Sequence, residues 1–158
     1  MIRKVSMPKK NKHRMRAHIN PFNELNMPHP KNPEFAQWHL HFPSFFGMVE
    51  NNKDHMVVNT RKFQIDYENK FENPKKMLPT ILDIGCGYGG LMFALTKHFP
   101  DNLILGQEIR DKLANFVAKK ANTIRINSGY KECMNVGVVR TNTMKTLHNY
   151  FERDSVSG

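Results

Sequence analysis

The sequence predicts an α/β fold of about three parallel strands with flanking helices, and three observations carry that prediction. The apolar run Ile81-Leu82-Asp83-Ile84 ends in a glycine-dense turn, Gly85-Cys86-Gly87-Tyr88-Gly89-Gly90, and an apolar helical segment follows at once. Two further apolar runs, Leu103-Ile104-Leu105-Gly106 and Val136-Gly137-Val138-Val139, lie beyond it. A helix-length segment separates each run from the next, the spacing that parallel strands require.

Each element has its own warrant. A continuous apolar run at 81–84 suits a parallel strand covered on both faces. The first helix runs from about Gly90 to Phe99, and Pro100-Asp101 ends it. The second strand closes on Gln107-Glu108. Asp111 is read as the N-cap of a second helix, in which Leu113, Phe116, Val117 and Ile124 recur at helical spacing until Ser128-Gly129 breaks it. The third strand ends at Arg140-Thr141-Asn142, and residues 144–151 begin a third helix. Residues 80–152 thus form the α/β unit, and 153–158 read as a disordered tail.

Upstream the pattern is irregular. The first sixteen residues carry Arg3, Lys4, Lys9, Lys10, Lys12, Arg14 and Arg16 with no acid, so residues 1–19 are expected to be a basic flexible arm suited to phosphates or to nuclear targeting. Prolines 21, 28, 30, 33 and 43 exclude a long helix from the next stretch. Its aromatics Phe22, Phe35, Trp38, Phe42, Phe45 and Phe46 are expected to pin an irregular segment to the domain. Thr60 to Phe71 reads as a helical piece followed by a linker, which completes a region of residues 20–79.

Composition narrows the function. A formal net charge of +10 over 158 residues points to a polyanionic partner, most simply nucleic acid. Two cysteines make neither a disulfide framework nor a four-ligand zinc site, and His39-x-His41 has no third ligand at useful spacing, so no metal is expected. No apolar run nears the ~20 residues of a membrane span, and the basic start lacks the apolar core of a secretory signal. A reducing, intracellular setting without membrane contact is the expectation.

The glycine turn carries the chemistry. Strand, glycine turn and helix make room for a nucleotide-like ligand at a strand's C-terminal end. Gly85-x-Gly87-x-x-Gly90 satisfies the dinucleotide fingerprint too, so the match alone does not decide. Asp83, two residues before the first glycine, suits a cationic ligand such as S-adenosylmethionine, with its sulfonium and ammonium groups, and would repel a pyrophosphate. Glu108 at the end of the second strand suits a bidentate grip on ribose hydroxyls, in NAD and S-adenosylmethionine alike. Asn142 offers an amide for an adenine edge. These features favour a methyltransferase and leave a dinucleotide enzyme as the alternative.

Five blocks narrow this further: Arg16-Ala17-His18-Ile19-Asn20-Pro21, Trp38 to Phe46, Asp83 to Leu91, Phe99 to Arg110, and Arg140 to Lys145. In content and order they resemble the eukaryotic catalytic subunit of tRNA (guanine-N7)-methyltransferase, a class I methyltransferase family that modifies guanine-46 in the tRNA variable loop. The resemblance implies a Rossmann-like sheet of order 3-2-1-4-5, of which this chain would hold strands 3, 2 and 1 and leave strand 1 as an edge. It implies that Gly85 lines the S-adenosylmethionine pocket, that Glu108, Ile109 and Arg110 hold the cofactor, and that Asn142 and Thr143 contact adenine. The family more often has alanine at the last position. Asp83 and Gly87 flank the same pocket. Lys9, Lys10, Lys12, Arg14, Arg16 and His18 are the candidates for tRNA.

The resemblance further implies a WD-repeat propeller subunit as partner, and residence in the nucleus, with the cytoplasm as alternative. The family's catalytic aspartate, in a Pro-Asp-Pro motif, finds no counterpart up to Gly158. The expectation is therefore a C-terminally truncated chain that holds the cofactor half and does not methylate tRNA alone. The alternatives are a non-catalytic RNA- and cofactor-binding module, or another class I methyltransferase.

Overall fold

The structure, a computed structural model, describes residues 4–14, 27–46, 66–73 and 76–153. Three strands form one parallel sheet in the order β1-β2-β3: β1 (Pro79–Ile84), β2 (Leu103–Glu108) and β3 (Val136–Arg140). Leu82 pairs with Leu105, and Gln107 with Val139. Among the described residues four α-helices accompany them: α1 (Trp38–His41), α2 (Gly90–Leu95), α3 (Asp111–Asn127) and α4 (Thr143–Tyr150). The three-stranded α/β architecture is the one that the apolar runs predict.

Because strand residues alternate faces, the sheet divides the core in two. On one face Ile104, Val136 and Val138 pack with Met92 of α2 and with Ala114, Val117, Ala118 and Ala121 of α3. On the other, Leu103, Leu105 and Val139 meet Trp38, Phe42, Tyr150 and Phe151. Trp38 and Phe42, with Phe45 and Phe46 packed against them, thus cover the second face, whereas Phe35 is not part of that cluster and Phe22 lies outside the described residues. Ile124, expected in the helix core, is only partly buried, and the small Ala114, Ala118 and Ala121 let α3 approach the sheet instead. All six residues of β2 are buried, whereas β1 lies at the sheet's edge with Ile84 exposed.

Several boundaries differ from expectation, each for a local reason. The first helix stops at Leu95 instead of Phe99. There the Thr96 hydroxyl bonds the Asn135 carboxamide, whose Nδ2 donates to the carbonyls of Phe99 (2.8 Å) and Asn102 (2.9 Å) and so fixes the turn. Asp111 is the first residue of α3 and not its N-cap, the position held by Arg110. Of the helix expected at 60–71, residues 60–65 lie outside the described residues, and 66–71 are not helical. Asp66 accepts the backbone N–H groups of Glu68 and Asn69 at 2.9 Å each, a local alternative to helical bonds. The tail from residue 154 onward is likewise outside the described residues.

The basic arm is the largest correction. Over residues 4–14 it lies along α3 instead of standing free. Val5 N–H donates to Asn127 Oδ1 (2.7 Å) and its carbonyl accepts from Asn127 Nδ2 (2.9 Å) at the helix's C-terminal end. Nearer the other end His13, buried, packs edge-on against Phe116 at 5.4 Å between ring centroids, and Lys10 Nζ lies 5.0 Å from the ring centroid of Tyr88 in the glycine turn. Among the cations, Val5 and His13 supply footholds that a purely charged run would lack.

Close approach of α1 to the sheet depends on one missing side chain. A Cβ at Gly137 of β3 would lie 2.8 Å from the Phe42 ring, which is fully buried and has no room to retreat. Gly137→Ala is therefore expected to cost about 1–3 kcal/mol through overpacking, read as a lower Tm in calorimetry. An unchanged Tm would show that the α1 packing is loose.

Candidate cofactor site

Parallel strands point their C-terminal ends one way, and the predicted residues gather there: Gly85 and Gly87 after β1, Glu108, Ile109 and Arg110 at the end of β2, and Asn142 and Thr143 after β3. The backbone draws these ends together. Gln107 carbonyl accepts from Gly85 N–H (2.7 Å) and Cys86 N–H (3.2 Å), and Glu108 carbonyl accepts from Thr141 N–H (3.1 Å). Arg140 Nε donates to the Ile109 carbonyl at 3.2 Å.

The turn after β1 has the shape of a cradle. Gly85 (φ +69°) and Gly87 (φ +58°) adopt left-handed backbone that L side chains rarely take, and no atom lies within 4 Å of where either Cβ would be. Both positions face open space that a side chain would fill.

Beneath the turn the Glu108 side chain is almost fully buried, and every lone-pair direction of its carboxylate is used. Oε2 accepts from Gly87 N–H (2.9 Å) and Arg110 Nη2 (3.3 Å). Oε1 accepts from Arg110 N–H (3.1 Å) and Nε (2.9 Å). Burial pushes its carboxyl upward, but the Arg110 and Gly87 hydrogen bonds and the Arg110 charge outweigh that and hold it below the usual range. Asp83 behaves oppositely: partial burial, then the nearby Glu108 charge, raise its carboxyl. Burial and the same two acids push the Cys86 thiol up to about 12, so it stays protonated and is no nucleophile. Two acids beside one cradle suit a cation.

Asn142, buried, precedes α4, and its carbonyl accepts from Lys145 N–H and Thr146 N–H. Thr143 Oγ1 donates to Gln107 Oε1 at 3.0 Å, while the buried Gln107 Nε2 has no hydrogen-bond partner. Sequence reasoning misses Gln107, whose signal is a polar residue closing an otherwise apolar strand. Of the RNA candidates, Lys9, Lys10, Lys12 and Arg14 are exposed, while Arg16 and His18 lie outside the described residues. No cluster of three or more His, Cys, Asp or Glu placed to hold a metal ion occurs among the described residues.

A family model described as "Putative methyltransferase" matches residues 77–158, half of the chain and all of this site. The chain belongs to this methyltransferase family. Similar proteins include the Arabidopsis thaliana tRNA (guanine-N(7)-)-methyltransferase, 36% identical over 97% of this chain and 52% of its own length. Those of Mus musculus (35% identical, 95% of this chain, 50% of its own) and Kluyveromyces lactis (36%, 99% and 49%) carry the same name. The chain spans about half the length of the curated relatives it matches.

The two acids of the candidate site predict opposite pH effects. Glu108, lowered on folding, contributes stability above its unfolded value that is lost as pH falls through its folded one. Asp83, raised on folding, costs stability as pH rises through its folded value. Thermal melts from pH 3 to 7 check both. Glu108→Gln is expected to flatten the acid limb and to cost about 2–3 kcal/mol at pH 7, whereas Asp83→Asn raises Tm at pH 7. An unchanged acid limb in Glu108→Gln would refute the Glu108 assignment.

Proposed function

We propose that this chain binds S-adenosylmethionine at the glycine turn and serves N7-methylation of guanine in tRNA. One observation carries the reading. The Glu108 carboxylate is held at the cradle's floor by two side-chain donors of a single guanidinium. A ribose would present the same demand, two neighbouring hydroxyl donors directed at one carboxylate, and would take the place of the Arg110 side chain, a role for Arg110 that differs from the expected one of holding the cofactor itself. Support for the rest of the ligand is that the space before Gly85 and Gly87 admits a close approach and that Asp83 favours a cation; Asn142 and Thr143, after β3 at the same end of the sheet, would take the adenine. The buried, unpartnered Gln107 Nε2 leaves a donor beside Thr143.

When bound, S-adenosylmethionine supplies an electrophilic methyl group on a sulfonium. Guanine N7 has a lone pair outside the aromatic sextet, so the nucleophile needs no strong base. Rate then comes from orientation. This chain's residues fix the donor: Glu108 sets the ribose, and the Asp83 charge offsets the cation. No Pro-Asp-Pro motif, the family's aspartate motif, occurs in the 158 residues. The relatives' names and the net charge of +10 support tRNA as the substrate. A WD-repeat subunit and nuclear residence belong to the same proposal.

Two measurements check it. By calorimetry, Glu108→Ala should weaken S-adenosylmethionine binding by roughly a hundredfold, the equivalent of ~3 kcal/mol. Tight NAD binding with no response to S-adenosylmethionine would contradict the assignment. Residues 1–158 assayed on unmodified tRNA, with and without a propeller subunit, should bind cofactor but form no N7-methylguanine. Turnover like that of a complete relative would show that positioning guanine needs no further residues.

A further inference from the structure

We infer that the cavity between the basic arm and α3 is a phosphate-binding site, separate from the cofactor site. The cavity measures about 460 Å³ and is walled by residues 5–9, 12 and 13 of the arm on one side and by Lys119, Asn122, Thr123 and Ile126 of α3 on the other. Lys9, Lys12 and Lys119 border it, and no acid does among the described residues. None of the glycine-turn or strand-end residues of the cofactor site takes part in it.

Local geometry puts these groups on one opening. The arm makes a 3-10 turn over Lys10–His13 with Lys9 as its N-cap, whose carbonyl accepts from Lys12 N–H (3.2 Å), and both lysines line the cavity. On α3, Lys119 is followed at three and four residues by Asn122 and Thr123, the spacing of one helix face. The arm is anchored at both ends of the cavity, through Val5 to Asn127 and through His13 to Phe116. Lys9, Lys12 and Lys119 thereby line one cavity. Three ammonium groups gathered without a counter-charge repel one another, and an anion among them relieves that repulsion.

Three ammoniums match a phosphate group, which has several acceptor oxygens and more than one charge. The space takes a phosphate or pyrophosphate. The phosphate is either free or part of an RNA backbone, and the experiment separates the two.

Backbone amide shifts of the whole chain are followed by NMR as inorganic pyrophosphate is added. Saturable shifts confined to residues 5–13 and 119–126 are expected, weakened at least about tenfold in Lys119→Gln and in Lys12→Gln. Lys119 and Lys12 are exposed, so both variants should melt like the parent, and S-adenosylhomocysteine should bind them unchanged. Shifts spread equally over other lysines such as Lys97 and Lys131, no saturation, or unaltered binding by both variants would overturn the site. A tRNA titration names the source. If tRNA displaces pyrophosphate and each substitution lowers the salt slope of tRNA affinity by about 0.9, the phosphate is the RNA's. If tRNA does not compete while pyrophosphate saturates, the ligand is a free phosphate compound. Failure of the tRNA proposal thus leaves the pyrophosphate result standing on its own.

Discussion

A carboxylate closed on all sides organises the functional end of this molecule. Glu108 ends the fully buried central strand, reaches Gly87 in the turn after β1 and, through Arg110, fixes the start of α3. Its backbone carbonyl meanwhile receives Thr141 after β3. One residue therefore joins the C-terminal ends of all three strands. The cost of burying its charge is offset by hydrogen bonds that are charge-assisted, the stronger kind. Those bonds also keep it ionised and aimed at the cradle.

The remaining architecture holds that arrangement from two sides. The α3 face of the sheet is packed with small residues that bring the helix close, so the start of α3 and the glycine turn meet at fixed distance. The opposite face is closed by Trp38, Phe42 and the end of α4, with Gly137 admitting the Phe42 ring. The arm adds a third constraint from outside, since Lys10 and His13 bear on Tyr88 and Phe116, which themselves pack edge to face at 5.0 Å. Basic residues expected to serve only a partner thus also touch the turn that frames the candidate site.

The strands and the glycine turn were legible because each leaves a local mark: a short apolar run, or glycines where the backbone must turn left-handed. Asp83 and Glu108 were legible from their place relative to those marks, and the structure puts Asp83 within electrostatic reach of Glu108. Contacts between distant segments were not. Val5 to Asn127 and Thr143 to Gln107 join residues 122 and 36 positions apart, and nothing in either neighbourhood announces the other. The expected 60–71 helix failed over its described part because one side chain, Asp66, competes with the backbone, an effect that apolar spacing cannot register. Arg110 shows a third kind of gap. Its position next to Glu108 was visible, but its closing of the carboxylate required coordinates.

That closing carries the proposed cofactor reading, in which a ribose would take the place of the Arg110 guanidinium and Arg110 would have to yield it. The most direct test is the side-chain Nε–Hε resonance of Arg110 by NMR, followed while S-adenosylhomocysteine is added. Without ligand the proton should be protected from exchange and shifted by its bond to Glu108. On saturation the account predicts that Arg110 Nε–Hε loses both, while Gly87 N–H keeps its bond. An Arg110 resonance unchanged at full occupancy would contradict it, because the carboxylate would then have no sites left for a ribose.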